Sequence, residues 1–435
     1  MADYTKMWEE LGLDLEAHAK LLEALPPTYY DIYLKQENRP RGMEYFDFVV
    51  NEIHGLRVQE LQEFRSNGGK VVGTFCVFVP EELILAAGGV YVGLCAGLEV
   101  GTAKAEAVLP RNICPLIKSF MGFKLSRICP YFESCDLLVG ETTCDGKKKA
   151  FEVLGDFAPV YTMETPQRKE PGDRAVWLGE IQALAAKLEE LTGQKITADR
   201  LAEAIRKVNA KRRALRRLAE LRKADPPPIS GRDALLIYQI AFYDDVERFT
   251  AQVNALCDEL EERIRRGVGV APPGTPRLVV TGTPMAIPNW KVPYIIETSG
   301  AVIVAEELCT GSRYYEALTA EDGATLGDLM MNVALRHLEP DCACFTPNNR
   351  RLEKLQAMAH EYRAAGVVSY VLAFCDPYAV ETYQVEKSLK RANVPLLKIE
   401  TDYGQQDAGQ LRTRIQAFLE LLANNGRVAA AGSKS

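Results

Sequence analysis

Strand-length apolar runs that stop on a cysteine, with amphipathic helices between them, most narrow what this chain can fold into. KVVGTFC (70–76), VYVGLC (90–95), AVIVAEELC (301–309) and VVSYVLAFC (367–375) close on Cys76, Cys95, Cys309 and Cys375, and DLLVGETTC (136–144) passes through a turn to Cys144. RLVVTGTP (277–284) and PLLKIETDYG (395–404) share the apolar character without the cysteine. A run that is apolar throughout suits a strand covered on both faces, as in a parallel sheet. PEELILAAGG (80–89), NNRRLEKLQAMAHEYRAAG (348–366) and YAVETYQVEKSLKRAN (378–393) carry helical periodicity. The expected fold class is α/β, with two parallel-sheet domains. In such sheets ligands bind beyond the carboxyl ends of the strands, so cysteines placed there converge on a crevice.

The expected organisation is an N-terminal helical arm (1–60), a first α/β domain (61–172), a helical segment (173–270), a second α/β domain (274–425) and a flexible tail (426–435). The helical segment is read from GEIQALAAKLEELTG (179–193), from 198–224 up to the break at PPP (226–228), and from a further helix over 231–267. APPGTP (271–276) is the linker into the second domain.

Eleven cysteines need a reason. The start of the chain has no apolar signal region and no run of about eighteen apolar residues occurs, so no membrane span is expected. The expected location is cytoplasmic, where thiols stay reduced and serve metal or redox chemistry more than bridges. The bland reading is a set of small buried hydrophobes, and Cys257, inside a helix, is read that way. Zinc hooks of the C-x-x-C type are absent, and His18, His54, His337 and His360 stand apart from the cysteines and from one another. Cys342–Ala–Cys344 is the tight pair. Iron–sulfur clusters take roughly three or four thiolates per cubane and accept long sequence separations. The candidates are Cys76, Cys114, Cys129, Cys144, Cys309, Cys344 and Cys375, from both α/β blocks.

A net charge of −7 argues against a general nucleic-acid binder. Neither a phosphate loop nor a G-x-G-x-x-G after a strand occurs, so any ATP chemistry belongs to another protein.

Several phrases carry a resemblance: GTFCVFVPEELILAAGGVYVGLC, LPRNICPLIKSFMGF, CPYFESCDLLVGETTCDGKKKAFEVL, EELCTGSRYYE, CACFTPNNRR and FCDPYAVETYQVEKSLKRANVPLLKIETDYG followed by GQLRTRIQAFLE. From about residue 65 to 422 the chain resembles the 2-hydroxyacyl-CoA dehydratase and benzoyl-CoA reductase superfamily, most of all its double-cubane cluster proteins. The resemblance implies two Rossmann-like domains around a cluster, and a homodimer. It implies one cubane on Cys76, Cys114 and Cys375. A second, joined through a bridging sulfide, falls to Cys309 and Cys344 with Cys129 or Cys144. Cys135 and Cys257 fall outside this set. A separate ATP-hydrolysing iron–sulfur reductase is implied as electron donor, with a small molecule as substrate.

Three readings follow: a reductase component with a double cubane, a 2-hydroxyacyl-CoA dehydratase subunit with a single 4Fe-4S cluster, and an assembly protein that holds a cluster without turnover. Glu81 and Glu82, one helical turn after Cys76, are the weak acid–base candidates. Lys147–Lys149 and the Arg212–Arg217 cluster are the dense cationic candidates for docking the reductase.

Overall fold

The computed structural model describes residues 3–432. Among the described residues eight strands form two parallel sheets of four. The first contains β1 (Val71–Thr74), β2 (Val90–Gly93), β3 (Leu137–Glu141) and β4 (Val160–Met163), in the order β2-β1-β3-β4. The second contains β5 (Arg277–Gly282), β6 (Val302–Glu307), β7 (Gly366–Leu372) and β8 (Leu396–Thr401), in the order β6-β5-β7-β8. The two sheets repeat one topology. In each, the chain leaves the first strand to one side and returns on the other, which opens a crevice at the carboxyl ends of the central strands.

The seven strands read from apolar runs are present, buried along their length except for β2 and the edge strand β8. β4 was not read from the sequence. It is a four-residue edge strand, mostly half-exposed, whose VYTM lacks the apolar run that marked the others. The helix expected over 231–267 is two helices, Gly231–Ile240 and Val246–Arg265. Asp245 caps the second by accepting the amide hydrogens of Glu247 and Arg248, which ends the continuity.

Between the sheets in sequence lie Pro171–Thr192 and Ala198–Leu221 as well as those two helices. Ala198–Leu221 packs on Val246–Arg265 and on the short helix Glu81–Ala86 that follows β1. The N-terminal arm lays Tyr29 and Tyr33 edge-on against Trp290 of the second sheet's domain. Its His18 meets His54, Nε2 to Nδ1 at 2.9 Å with stacked rings, so these two histidines do not stand alone. One apolar core runs from Phe46 in the arm through Val71 in β1 to Val280 in β5. The last helix is Ala408–Gly432; of the tail expected at 426–435, residues 433–435 lie outside those described. Among the described residues no helix is long and apolar enough to cross a membrane.

Candidate functional site

The carboxyl ends of the strands deliver the thiols. Cys76 follows β1 by two residues, Cys95 follows β2 by two, Cys144 follows β3 by three, Cys309 follows β6 by two and Cys375 follows β7 by three. Gly97, just past Cys95, lets the two halves of the molecule close: a Cβ there would stand 2.3 Å from the Ala286 carbonyl oxygen. Its amide donates to the Ile287 carbonyl at 3.0 Å.

A cavity of about 1270 Å³ opens between the two sheets, lined by eight cysteines: Cys76, Cys95, Cys114, Cys144, Cys309, Cys342, Cys344 and Cys375. Six of the seven candidate ligands are there. Cys129 is not; it is buried and lines, with Phe123 and Tyr131, a small apolar pocket under the arm. Cys257 is buried in the helical segment, where burial pushes its thiol up to about 12. The Cys135 thiol donates to the Tyr131 carbonyl at 3.1 Å. Cys342 and Cys95 join the site without having been among the candidates. The Cys342–Ala–Cys344 spacing and the strand end at Cys95 were the available signals.

Seven thiols fall into two groups. In the first, the neighbouring Cys309 raises Cys76 well above the ordinary thiol value, and Cys76 in turn lowers Cys309. Cys344 likewise lowers Cys342 well below the ordinary value, and Cys342 raises Cys344. The charge of Cys342 is felt at both Cys76 and Cys309. In the second group Cys375 lowers Cys114 and is itself raised by it, and the charge of Cys144 bears on Cys375. Cys309 is therefore the thiol that bears most on Cys76, and Cys375 the one that bears most on Cys114. Cys95 stands aside: its thiol donates to the Phe75 carbonyl at 2.9 Å, and burial pushes it up to about 11.

Every member of the second group is the N-cap of a helix: Cys114 before Pro115–Ser126, Cys144 before Asp145–Leu154 and Cys375 before Asp376–Arg391. Proline in the first turn of the first and third helices fixes the backbone for the turn. A helix N-terminus presents unpaired amide hydrogens and a positive dipole end, both of which stabilise thiolate. Lys147 of the helix Asp145–Leu154 turns inward to line the cavity, buried and paired with Glu141; its charge opposes the rise at Cys76 and Cys95 and adds to the lowering of Cys114.

Glu81 and Glu82 do not line the cavity. Glu81 accepts from the Lys211 ammonium at 2.6 Å and from the Tyr314 hydroxyl at 2.8 Å. Glu82 accepts from Arg212 at 2.6 Å and faces His337 at 2.9 Å. Lys211 and Arg212 are thus sealed inside, while Arg213 pairs with Glu321 and Arg217 with Asp258 and Glu261. The cationic cluster expected as a docking face is mostly spent on internal and local pairing.

Among the described residues no three Cys, His, Asp or Glu side chains gather about one ion-sized point. A single-ion site asks for that convergence. A cluster takes its thiolates on different irons, and two groups of thiols facing one cavity fit it.

Fold and site define the class: a two-domain parallel α/β protein with its cysteines collected in the crevice between the sheets. The chain belongs to the family described as 2-hydroxyglutaryl-CoA dehydratase, D-component, whose model matches residues 76–422, beginning at Cys76 itself. It is similar to YjiM of Escherichia coli (strain K12), provisionally named a dehydratase subunit, with 40% identity over 370 residues, 84% of this chain and 94% of that protein. It is similar to the (R)-phenyllactyl-CoA dehydratase beta subunit of Clostridium sporogenes, with 26% identity over 387 residues, 87% of this chain and 99% of the relative. A benzoyl-CoA reductase subunit of Thauera aromatica is 23% identical over 356 residues, 79% of this chain and 87% of its own.

Proposed function

We propose that this chain is the iron–sulfur component of a reductase, holding a double-cubane cluster and reducing a small molecule with electrons from a separate ATP-hydrolysing iron–sulfur protein. The observation that carries this reading is the count and grouping of thiols on one cavity: four in one group and three in the other, more than a single cubane takes. Cys76, Cys309 and either Cys342 or Cys344 would hold one cubane, and Cys114, Cys144 and Cys375 the other. When bound, such a cluster supplies a low-potential store for more than one electron.

The chain's own groups serve that role in stated ways. The helix N-termini at Cys114, Cys144 and Cys375 offset negative charge on the second thiol group. Lys147 does so from the wall between the groups. The rim is open: Phe374 is 52% exposed and Tyr383 66% exposed, and both line the cavity. Substrate enters there, and the chain works as a homodimer.

The relatives' names favour a second reading, a subunit of a 2-hydroxyacyl-CoA dehydratase with one 4Fe-4S cluster. Iron and acid-labile sulfide in anaerobically purified protein decide between them: about eight irons per chain for the double cubane, about four for the single. Stoichiometric zinc without sulfide overturns both.

A further inference from the structure

Behind the first thiol group lies Arg313, 1% exposed. Its Nη1 donates to the Gly282 carbonyl at 3.2 Å, approaches the Cys309 sulfur at 3.8 Å, and is bonded to the Tyr378 hydroxyl. That hydroxyl stands 3.4 Å from the sulfur of Cys342. Glu307 fixes the guanidinium, accepting from Nε at 2.5 Å and from Nη2 at 2.8 Å. The Tyr378 ring is held between two guanidiniums, with Arg313 at 5.2 Å and Arg351 at 5.1 Å from its centroid. Arg351 in turn pairs with Glu307 and Glu381, so two cations face two carboxylates and the set is neutral as a whole. What reaches the sulfurs is therefore directional hydrogen bonding more than net charge.

The second group is served differently. The Lys147 amide donates to the Cys144 sulfur at 3.4 Å, and Cys114 and Cys375 cap the N-termini of their helices. Side chains reach the sulfurs of the first group, whereas in the second a backbone amide reaches Cys144 and helix N-termini face the thiols. The side chains can be changed without disturbing the helix N-termini.

We propose that Arg313 and Tyr378 are positioning residues that set the reduction potential of the first half of the thiol array independently of the second. Arg313 acts directly on Cys309 and, through Tyr378, on Cys342. Hydrogen bonds to cluster sulfurs favour the reduced form and raise the potential. The inference rests on the double-cubane reading and goes beyond it, since it makes the two halves separately tunable.

The test is a stepwise reductive titration of anaerobic holoprotein followed by EPR, with iron content measured on each sample. Tyr378→Phe removes the hydroxyl and leaves both the ring and the Arg313–Glu307 pair in place. One of two midpoints is expected to fall, by about tenfold in that half's equilibrium or about 59 mV for one electron, with the other midpoint and the iron content unchanged. Arg313→Lys, which keeps charge but loses the planar fork, is expected to shift the same midpoint in the same direction. Two midpoints that move together, or that both stay put in Tyr378→Phe with iron retained, overturn the inference and leave the double cubane standing. Wild-type protein with no cluster, or with a single reduction step, overturns the double-cubane reading and the inference with it.

Discussion

Lys211 holds its ammonium 2.6 Å from a Glu81 carboxylate oxygen, with both side chains closed off from solvent. The contact ties the helix Ala198–Leu221 to the helix that follows β1, and Arg212 and Glu82 repeat it one residue on. Removing one partner of a buried pair leaves an uncompensated charge, at a cost of about 3–5 kcal/mol. Glu81→Gln is expected to destabilise by that order. Lys211→Met combined with Glu81→Leu is expected to lose less than Glu81→Gln. Urea denaturation of the three proteins checks both statements.

Cys144 lines the thiol cavity and Cys129 does not. Cys144→Ser is expected to lose about half of the iron, and Cys129→Ser to keep all of it. Iron and sulfide analysis of the two variants decides the matter; iron loss in Cys129→Ser with full retention in Cys144→Ser would move the second cubane out of the cavity.

His18 and His54 make the arm sensitive to acid. Burial depresses His18 to about 4 and His54 to about 3, so the fold holds both neutral. The unfolded chain takes up protons below about pH 6.5. Their contribution is therefore present above about pH 6.5 and lost as pH falls through about 4 and then 3. For His18 the displacement corresponds to about 3 kcal/mol, gone by about pH 4. Between pH 7 and pH 4.5 the urea midpoint is expected to fall less in His18→Leu than in wild type. Trp8, edge-on to His18 with ring centroids 4.5 Å apart, gives the fluorescence signal.

The surface expected to dock the partner shrinks once burial is known. Lys148 and Lys149 are exposed on the helix that starts at Cys144, while Lys147 is turned inward. With the partner reductase and ATP, Lys148→Glu with Lys149→Glu is expected to lower turnover severalfold at low salt and to flatten its salt dependence, with iron content unchanged. ATP hydrolysis by the purified chain without the partner would place the energy input elsewhere.

Arg313 shows why part of the site was hidden. Nothing in ELCTGSRYYE separates its arginine from a surface residue. Its burial follows from β5, β6 and the helix that starts at Cys375 meeting around it. The basic run 211–217 misled for the same reason, since carboxylates distant in sequence neutralise much of it.

The sequence by itself determined the α/β class, seven of the eight strands and six cavity cysteines among its seven candidates, because strand burial and strand-end chemistry are written in local runs of residues. The tertiary structure alone decided that Cys76 neighbours Cys309, that Cys129 stands apart while Cys342 and Cys95 join the cavity, and that Glu81 and Glu82 are held in buried ion pairs off it. Those outcomes depend on which strand ends and helix faces meet across the crevice. Residues more than two hundred positions apart then come within hydrogen-bond distance, and no local spacing records it.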